Sequence, residues 1–433
     1  MAQAPKQLFY GWWVVLVAAV SLLLGPIPIS VFSFAVFLKP LSLEFHSSRG
    51  AVSLAFTLHA TTTALTLPFA GRLIDRFGPR RMILVSSLLA GLVFLSANLC
   101  SGKIWQLYLF YAACGVASCG VAPVSYCDVI SHWFDRRRGI ALGFIMAGMG
   151  AGAVVMPSAV HSVITKFGRR AAFGCSGAVI LLISLPLLWL FLKEKPEQMG
   201  LEPDGGGDGF ARSSPPDSDS GMSFGEAART PTLWLLLCAF ILVSSSVSGC
   251  TAHIVAILAD YGVSARTAAF ATSIFGCGLL VGRAGSGYLM DRFFAPHFAA
   301  VIFGCAAAGM GLLRIADAQS VAFAAAFAVG LGLGAEIDIM AFLTSRYFGL
   351  RSFGAITGFL FAAFGLASGS GAYLMGAGFD RTGSYALPLT VFSIATLAGA
   401  ALMMRLGPYR YRKSLPDHQQ SELQVIEPES QVS

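Results

Sequence analysis

Long apolar runs separated by short polar breaks dominate this chain of 433 residues. About 20 consecutive apolar residues suffice for a helix to cross the hydrocarbon core of a bilayer. The pattern therefore predicts an all-α membrane protein with twelve transmembrane helices, called spans 1 to 12 below. The runs lie at residues 11–38, 51–71, 82–101, 104–132, 139–165, 170–192, 232–259, 266–290, 297–315, 320–345, 353–379 and 384–406.

One long polar stretch divides the runs into six and six. Residues 193–230 are rich in Gly, Pro, Ser and Asp, a composition that cannot bury enough apolar surface to fold. We therefore predict an N-terminal six-helix bundle at 1–192, a linker at 193–230, a C-terminal six-helix bundle at 231–413 and a disordered tail at 414–433.

Charge is scarce and unevenly placed. Charged residues make up 12% of the chain, whereas a soluble protein carries about 25%. The net charge of +7 does not indicate a nucleic-acid partner, because the basic residues lie in short loops between apolar runs. If the N-terminus is inside, 19 Lys and Arg lie inside, 9 lie outside and Arg283 lies within a span. This asymmetry predicts a plasma (inner) membrane protein with cytoplasmic termini, linker and tail, although Lys166, Arg169 and Arg170 run against it.

The two halves repeat each other. The segment GRLIDRF at 71–77 matches GYLMDRF at 287–293, and WF at 133–134 with its following glycines matches YF at 347–348 with its own. The offsets are 216 and 214 to 215 residues, so the match is consistent at two places. Parallel repeats of this kind are typical of secondary transporters with a central site between the halves.

Several of these segments resemble a known family. GRLIDRFGPRR at 71–81 resembles the loop signature of the major facilitator superfamily. WFDRRRGIALG at 133–143 resembles the signature entering span 5 of its monocarboxylate porter and oxalate/formate exchanger branch. YGWWVV at 10–15 and GRAGSG at 282–287 are also similar to that branch.

The resemblance implies the major facilitator fold and transport of a small organic anion by alternating access, often with protons. In that branch an arginine of span 8 contacts the substrate carboxylate, and Arg283 occupies the matching position. Proton-coupled members often carry an acidic residue one turn before this arginine, and Leu279 occupies that position here. The middle of span 1 lacks the lysine of many such members, and span 11 lacks the lysine of oxalate exchangers. These departures favour a monocarboxylate over oxalate.

Arg283 is the main candidate for substrate binding. It lies eight residues before Asp291, which places it about 12 Å inside the membrane at 1.5 Å per residue. A charge at such depth costs about 2.5 kcal/mol or more, so it needs a partner, a cavity or a substrate. Its guanidinium suits a carboxylate bound through two hydrogen bonds. The alternative is a structural ion pair with Asp338.

Two carboxylates occupy equivalent places in the repeats. Asp128 of span 4 and Asp338 of span 10 each lie eight residues before an arginine, and either could carry a coupling proton or pair structurally. Tyr126 is a candidate hydrogen-bond donor. His253 of span 7 and His59 of span 2 are candidates for titration, against the alternative of buried packing residues.

Two features concern movement rather than binding. Gly25-Pro26-Ile27-Pro28 should interrupt span 1, since prolines remove backbone donors, and a broken helix is best tolerated beside a cavity or other helices. Five positions near the cytoplasmic loops are candidates for a gate closed by ion pairs, or alternatively serve topology alone: Gly71, Asp75, Arg76, Arg80 and Arg137.

The sequence therefore predicts a monomeric secondary active transporter, not an enzyme, with an organic anion as substrate and protons as coupling ion. It predicts no cofactor and no metal, and the absence of a phosphate-binding loop gives no support to ATP-driven transport. An oxalate/formate-type exchanger and an exporter of another small molecule remain alternatives. A membrane-embedded enzyme and a transport-inactive sensor remain open as well.

Overall fold

A computed structural model describes residues 9–134, 137–202, 221–315, 318–349 and 351–410. Four side chains within these ranges are also excluded from the description: Pro68, Asp75, Val124 and Asp291. The predicted tail and residues 203–220 of the predicted linker lie outside the described residues. The twelve predicted spans are present, and the described chain is almost entirely helical.

The N-terminal half contains spans 1 to 6. Span 1 consists of Gly11–Leu24, Pro28–Phe32 and Phe34–Glu44. Spans 2 and 3 are Arg49–Phe77 and Pro79–Ser96. Span 4 consists of Ile104–Ser118 and Pro123–Trp133. Spans 5 and 6 share the helix Arg138–Val179, which Gly168 divides with a φ of 81°, and span 6 continues through Ile180–Ser184 and Leu185–Phe191.

The C-terminal half contains spans 7 to 12, each a single helix. A short helix, Phe224–Ala228, precedes them. Within the described residues, ten helical stretches are long and apolar enough to cross a membrane. The longest, Arg138–Phe191, holds two spans, and the helix of span 2 is not among the ten. The helices of spans 7 to 12 are Pro231–Asp260, Ala265–Arg292, Ala295–Leu312, Gln319–Phe348, Phe353–Thr382 and Ala386–Met404.

Two spans are broken inside the membrane. The predicted interruption of span 1 is confirmed: the first helix ends at Leu24, Gly25 is extended, and Pro28 opens a π-helical turn. Span 4 is confirmed as a membrane span, but its helix is interrupted, which was not predicted. Its first helix ends at Ser118 and a second begins at Pro123, because a proline lacks the N–H that would continue the helix.

Contacts between helix ends define the two faces of the molecule. At one face the Tyr10 hydroxyl donates to Phe191 O (3.1 Å) and the Tyr347 hydroxyl donates to Gly407 O (2.6 Å). The first bond joins the start and the end of the N-terminal half, and the second joins the end of span 10 to the end of the C-terminal half, so we call this the terminal face. At the opposite far face, Arg169 forms an ion pair with Glu44 inside the N-terminal half. This pair neutralises one of the basic residues that ran against the predicted charge asymmetry.

Small residues allow the helices to approach closely. A Cβ on Gly371 of span 11 would collide with the backbone oxygen of Ser245 in span 7. A Cβ on Gly330 of span 10 would collide in the same way with Phe275 in span 8. Close backbone approach through glycine is a common way to pack helices in a bilayer. Lipid tails are as apolar as the side chains, so helices there associate through van der Waals contact rather than through the hydrophobic effect.

Gly371→Ala should therefore destabilise the protein, because the colliding atom is backbone and cannot swing away. Overpacking costs about 1–3 kcal/mol, so the thermal unfolding temperature in detergent should fall by several degrees. Gly304→Ala is the matched control, since a Cβ there meets nothing within 4 Å. An unchanged unfolding temperature in Gly371→Ala would contradict the packing described here.

Candidate functional site

The two halves are joined tightly at the far face. The Thr57 hydroxyl of span 2 donates to Gly369 O of span 11 at 2.6 Å. Ser158 of span 5 and Ser273 of span 8 are hydrogen-bonded at 2.8 Å. Spans 2, 5, 8 and 11 therefore close the interface on this side.

Toward the terminal face, no hydrogen bond or ion pair among the described residues joins these four spans across the halves beyond the contact of Arg283 with Met146. Their glycines there are open positions, at which an added Cβ would meet no heavy atom within 4 Å among the described residues. These are Gly71, Gly139, Gly143, Gly287, Gly354 and Gly358. The interface between the halves is thus closed at the far face and open at the terminal face.

Arg283 lies at the boundary between the closed and open parts of this interface. Gly276, two turns earlier in span 8, is still packed against Ala153 of span 5. The Arg283 guanidinium itself contacts Met146 of span 5, with 3.7 Å between Nη1 and the sulfur. It therefore touches the N-terminal half although it belongs to the C-terminal half.

The partners of Arg283 are few and weak. Its Nε lies 3.7 Å from Oδ2 of Asp338, which is an ion pair but too long for a hydrogen bond. The Nε is buried and has no hydrogen-bond acceptor among the described residues. A guanidinium has five N–H donors, and a thioether is a weak acceptor. Some N–H groups of Arg283 at the interface, including Nε–H, therefore have no hydrogen-bond acceptor among the described residues.

Asp338 of span 10 is only partly committed to Arg283. The Ser286 hydroxyl donates to its Oδ2 at 3.0 Å, and its side chain keeps 33% exposure. Sequence reasoning left open a structural pair between Arg283 and Asp338. The structure brings these two residues together as an ion pair. The distance between them is too long for a hydrogen bond, so each can still bind another group.

Asp128 and Tyr126 of span 4 lie in different surroundings. The Asp128 side chain is half-buried. The Tyr126 hydroxyl is instead fully buried and hydrogen-bonded to Ser21 at 2.7 Å. Ser184 donates to the same serine, so Tyr126 belongs to a polar link between spans 1, 4 and 6.

His253 joins the halves near the far face. Its Nε2 lies 3.0 Å from Ala372 O and 2.8 Å from the Ser53 hydroxyl of span 2, and its Nδ1 lies 2.8 Å from the Tyr385 hydroxyl. A carbonyl only accepts, so Nε2 carries the proton and Nδ1 accepts from Tyr385. This complete set of partners places His253 in the closed interface, away from Arg283.

His59 has a packing role inside the N-terminal half. Its Nε2 lies 3.1 Å from the Ser30 hydroxyl, which itself donates to Pro26 O at 2.8 Å. The histidine thus supports the break in span 1. That break packs on span 5, where a Cβ on Gly152 would lie 2.6 Å from Pro28.

Sequence reasoning missed a group of charges that closes the far face. We call it the far-face cluster: Lys39 and Arg49 from the N-terminal half, and Asp260 and Asp380 from the C-terminal half. The Arg49 guanidinium also stacks on Phe379, 3.9 Å from the ring centroid. All four residues lie at span ends, which local pattern alone cannot pair.

The candidate gate residues lie at the open terminal face. Gly71, Arg76 and Arg137 are exposed, and Arg80 donates to Trp189 O (2.9 Å) within its own half. Among the described residues none of these arginines forms an ion pair with the C-terminal half. The Asp75 side chain lies outside the described residues.

The described chain is thus a membrane protein of two six-span halves that are joined at the far face. A family model described as the Major Facilitator Superfamily matches residues 18–372. The chain therefore belongs to the major facilitator superfamily, whose members are transporters.

Individual relatives and structures agree with this assignment. The oxalate:formate antiporter of Oxalobacter formigenes is 29% identical over 365 residues, which are 82% of each chain. Monocarboxylate transporter 13 of Bos taurus is 23% identical over 423 residues, 97% of this chain and 94% of that protein. The crystal structure of a bacterial homologue of the human lysosomal transporter Spinster, inward-facing and occupied, has a TM-score of 0.66 at 16% identity, covering 93% of this chain and 97% of that chain. This last likeness concerns the fold alone.

Asp380→Asn should loosen the far face. The Asp380 carboxylate accepts from the backbone N–H groups of Arg49 (3.1 Å) and Gly50 (2.8 Å), and so caps span 2 from the other half of the molecule. Its loss should raise amide hydrogen exchange at the start of span 2, measured by mass spectrometry. Arg381→Gln, next in sequence and exposed, is the control. Equal exchange in both variants would show that the cap does not hold the interface.

Proposed function

We propose that this protein is a secondary active transporter that moves a small monocarboxylate across the membrane by alternating access, with a proton as coupling ion. The observation that carries the proposal is Arg283, a half-buried cation at the interface of the halves whose buried Nε has no hydrogen-bond acceptor among the described residues. Such a group is costly in a membrane unless something binds it.

A carboxylate fits this position by charge and by shape. Two carboxylate oxygens can accept two parallel N–H bonds from one guanidinium, and the opening at the terminal face gives access. Only Asp338 competes among the described carboxylates, and its oxygen is 3.7 Å away. The substrate can therefore take the arginine without first breaking a short hydrogen bond.

Charge balance supports coupling to a proton. Arg283 and Asp338 together are neutral, so a bound carboxylate adds one negative charge inside a low-dielectric interface. A proton on Asp338 would restore neutrality and release Arg283 for the substrate.

The names of the relatives support the substrate class. One is an oxalate:formate antiporter and another a monocarboxylate transporter, and both names describe carriers of carboxylates. The antiporter similarity favours a second candidate function, exchange of one organic anion for another. In this case the returning anion, rather than a proton, keeps the charge balanced at Arg283.

The open face is proposed to be the cytoplasmic one. The charge asymmetry of the loops places the termini inside, so the structure would correspond to an inward-open state in the plasma (inner) membrane. Asp75 and the three arginines Arg76, Arg80 and Arg137 would then close this face by ion pairs in the opposite state, with Gly71 beside them. One chain holds both halves, which is sufficient for a monomeric transporter.

Arg283→Gln should strongly lower carboxylate uptake, since the amide keeps hydrogen-bonding capacity but loses the charge that compensates the anion. We expect a fall of about ten- to a hundredfold, because one lost charged hydrogen bond costs about 1.5–3 kcal/mol in binding. Initial uptake of radiolabelled formate, lactate and oxalate into proteoliposomes measures the effect.

Arg292→Gln is the matched control, because Arg292 is an exposed arginine at the end of the same span. Uptake that survives in Arg283→Gln at the wild-type level would remove Arg283 from the site. Counterflow measured with and without a pH gradient then separates proton symport from anion exchange.

Asp75→Asn should lower uptake if the cytoplasmic gate needs its charge to close. Removing a gate partner leaves the protein biased toward the inward-open state, so the turnover rate should fall while surface expression is retained. Asp75→Glu keeps the charge and should restore part of the rate. Wild-type uptake in Asp75→Asn would show that the loop charges serve topology alone.

A further inference from the structure

The far-face cluster divides its donors and acceptors strictly between the halves. Asp260 accepts from Lys39 Nζ at 2.6 Å and from both terminal nitrogens of Arg49, the second at 3.2 Å. Asp380 accepts from the backbone amides of Arg49 and Gly50. Every donor belongs to the end of span 1 or the start of span 2, and both carboxylates belong to the C-terminal half.

We propose that these N-terminal donors form a second binding site for the carboxylate substrate, used at the far face when that face opens. Asp260 and Asp380 occupy the site as internal carboxylate ligands while the face is closed. The inference rests on the proposed function for the identity of the ligand, and the structure supplies the geometry of a carboxylate already bound there.

The donor set is that of a carboxylate site rather than of a simple ion pair. The Arg49 guanidinium holds Asp260 through two nitrogens, and Lys39 adds a second cation to the same carboxylate. Bidentate binding of this kind is specific for planar anions. Separation of the halves would leave both cations and two amides without their anions at the same moment.

The site is also reachable. A cleft of about 330 Å³ opens at this face, and its wall includes Arg49, Asp260, Ser384 and Tyr385. The side chains of Lys39 and Asp260 keep 33% and 28% exposure. An anion in solution can therefore approach the cluster before the halves have parted, and it can compete with Asp260 for the same donors.

This competition predicts a result that a simple latch does not. If Arg49 and Asp260 only hold the face shut, removing either partner favours opening, and both changes shift the external KM in the same direction. If Arg49 binds substrate and Asp260 competes with it, Arg49→Gln raises the external KM whereas Asp260→Asn lowers it.

The test is initial uptake of radiolabelled formate, lactate or oxalate by intact cells, in which the protein has one orientation. We expect Arg49→Gln to raise the external KM about tenfold, the effect of one lost charged hydrogen bond. Asp260→Asn should lower it severalfold. Arg266→Gln changes an exposed arginine at the start of span 8, outside the cluster, and should leave KM unchanged.

Shifts of the same sign in Arg49→Gln and Asp260→Asn, or no shift in either, would overturn the proposal and leave a latch only. A binding measurement covers variants that fold but do not transport. In purified Asp260→Asn/Arg283→Ala protein, 10 mM formate or oxalate, a concentration on the order of weak-site dissociation constants, should raise the unfolding temperature. Adding Arg49→Gln should remove this rise.

The two proposals fail differently. If wild-type cells take up none of the three carboxylates, the proposed transport function fails, and the stabilisation of Asp260→Asn/Arg283→Ala still decides the far-face site. If uptake occurs and depends on Arg283 but no stabilisation is found in that variant, only the far-face site is rejected.

Discussion

The arrangement of the interface between the two helical bundles depends on the free-energy cost of placing one positive charge there. Arg283 cannot lie in lipid, and the structure gives it a distant carboxylate, Asp338, and a weak acceptor, Met146. An arginine paired fully within its own half would be satisfied in every state. An arginine at the interface with unused N–H donors is different, because an anion that enters the opening can bind it and stabilise the protein. A carrier requires its stability to depend on a bound substrate in this way.

The rest of the structure keeps that interface movable. Backbone-to-backbone packing through glycines makes each half rigid, as at Gly371 against Ser245. Between the halves the far face combines close packing, as at Gly276 against Ala153, with polar contacts that include the Thr57 and Ser53 hydrogen bonds and the far-face cluster. Polar contacts can be exchanged for water or for an anion at small net cost, so this part of the contact lowers the cost of separating the halves.

Sequence reasoning reached the parts of this account that depend on local pattern. Apolar runs predicted the twelve spans, and the prolines of span 1 predicted its break at Gly25. The pairing of Arg283 with Asp338 was foreseen because buried charges need partners. The break in span 4 was missed, although Pro123 carried its signal. Contacts such as Asp380 capping Gly50 were out of reach, since they join residues 330 positions apart across a moving interface.

The most direct test of the central claim is a thermal-shift titration of purified protein with small organic acids, carried out on the wild type and on Arg283→Ala. Our account predicts that a monocarboxylate raises the unfolding temperature of the wild type in a concentration-dependent way, because a ligand that binds only the folded state stabilises it. The same acid should leave Arg283→Ala unchanged. Equal stabilisation of both proteins by every active acid would contradict the assignment of Arg283 as the substrate anchor.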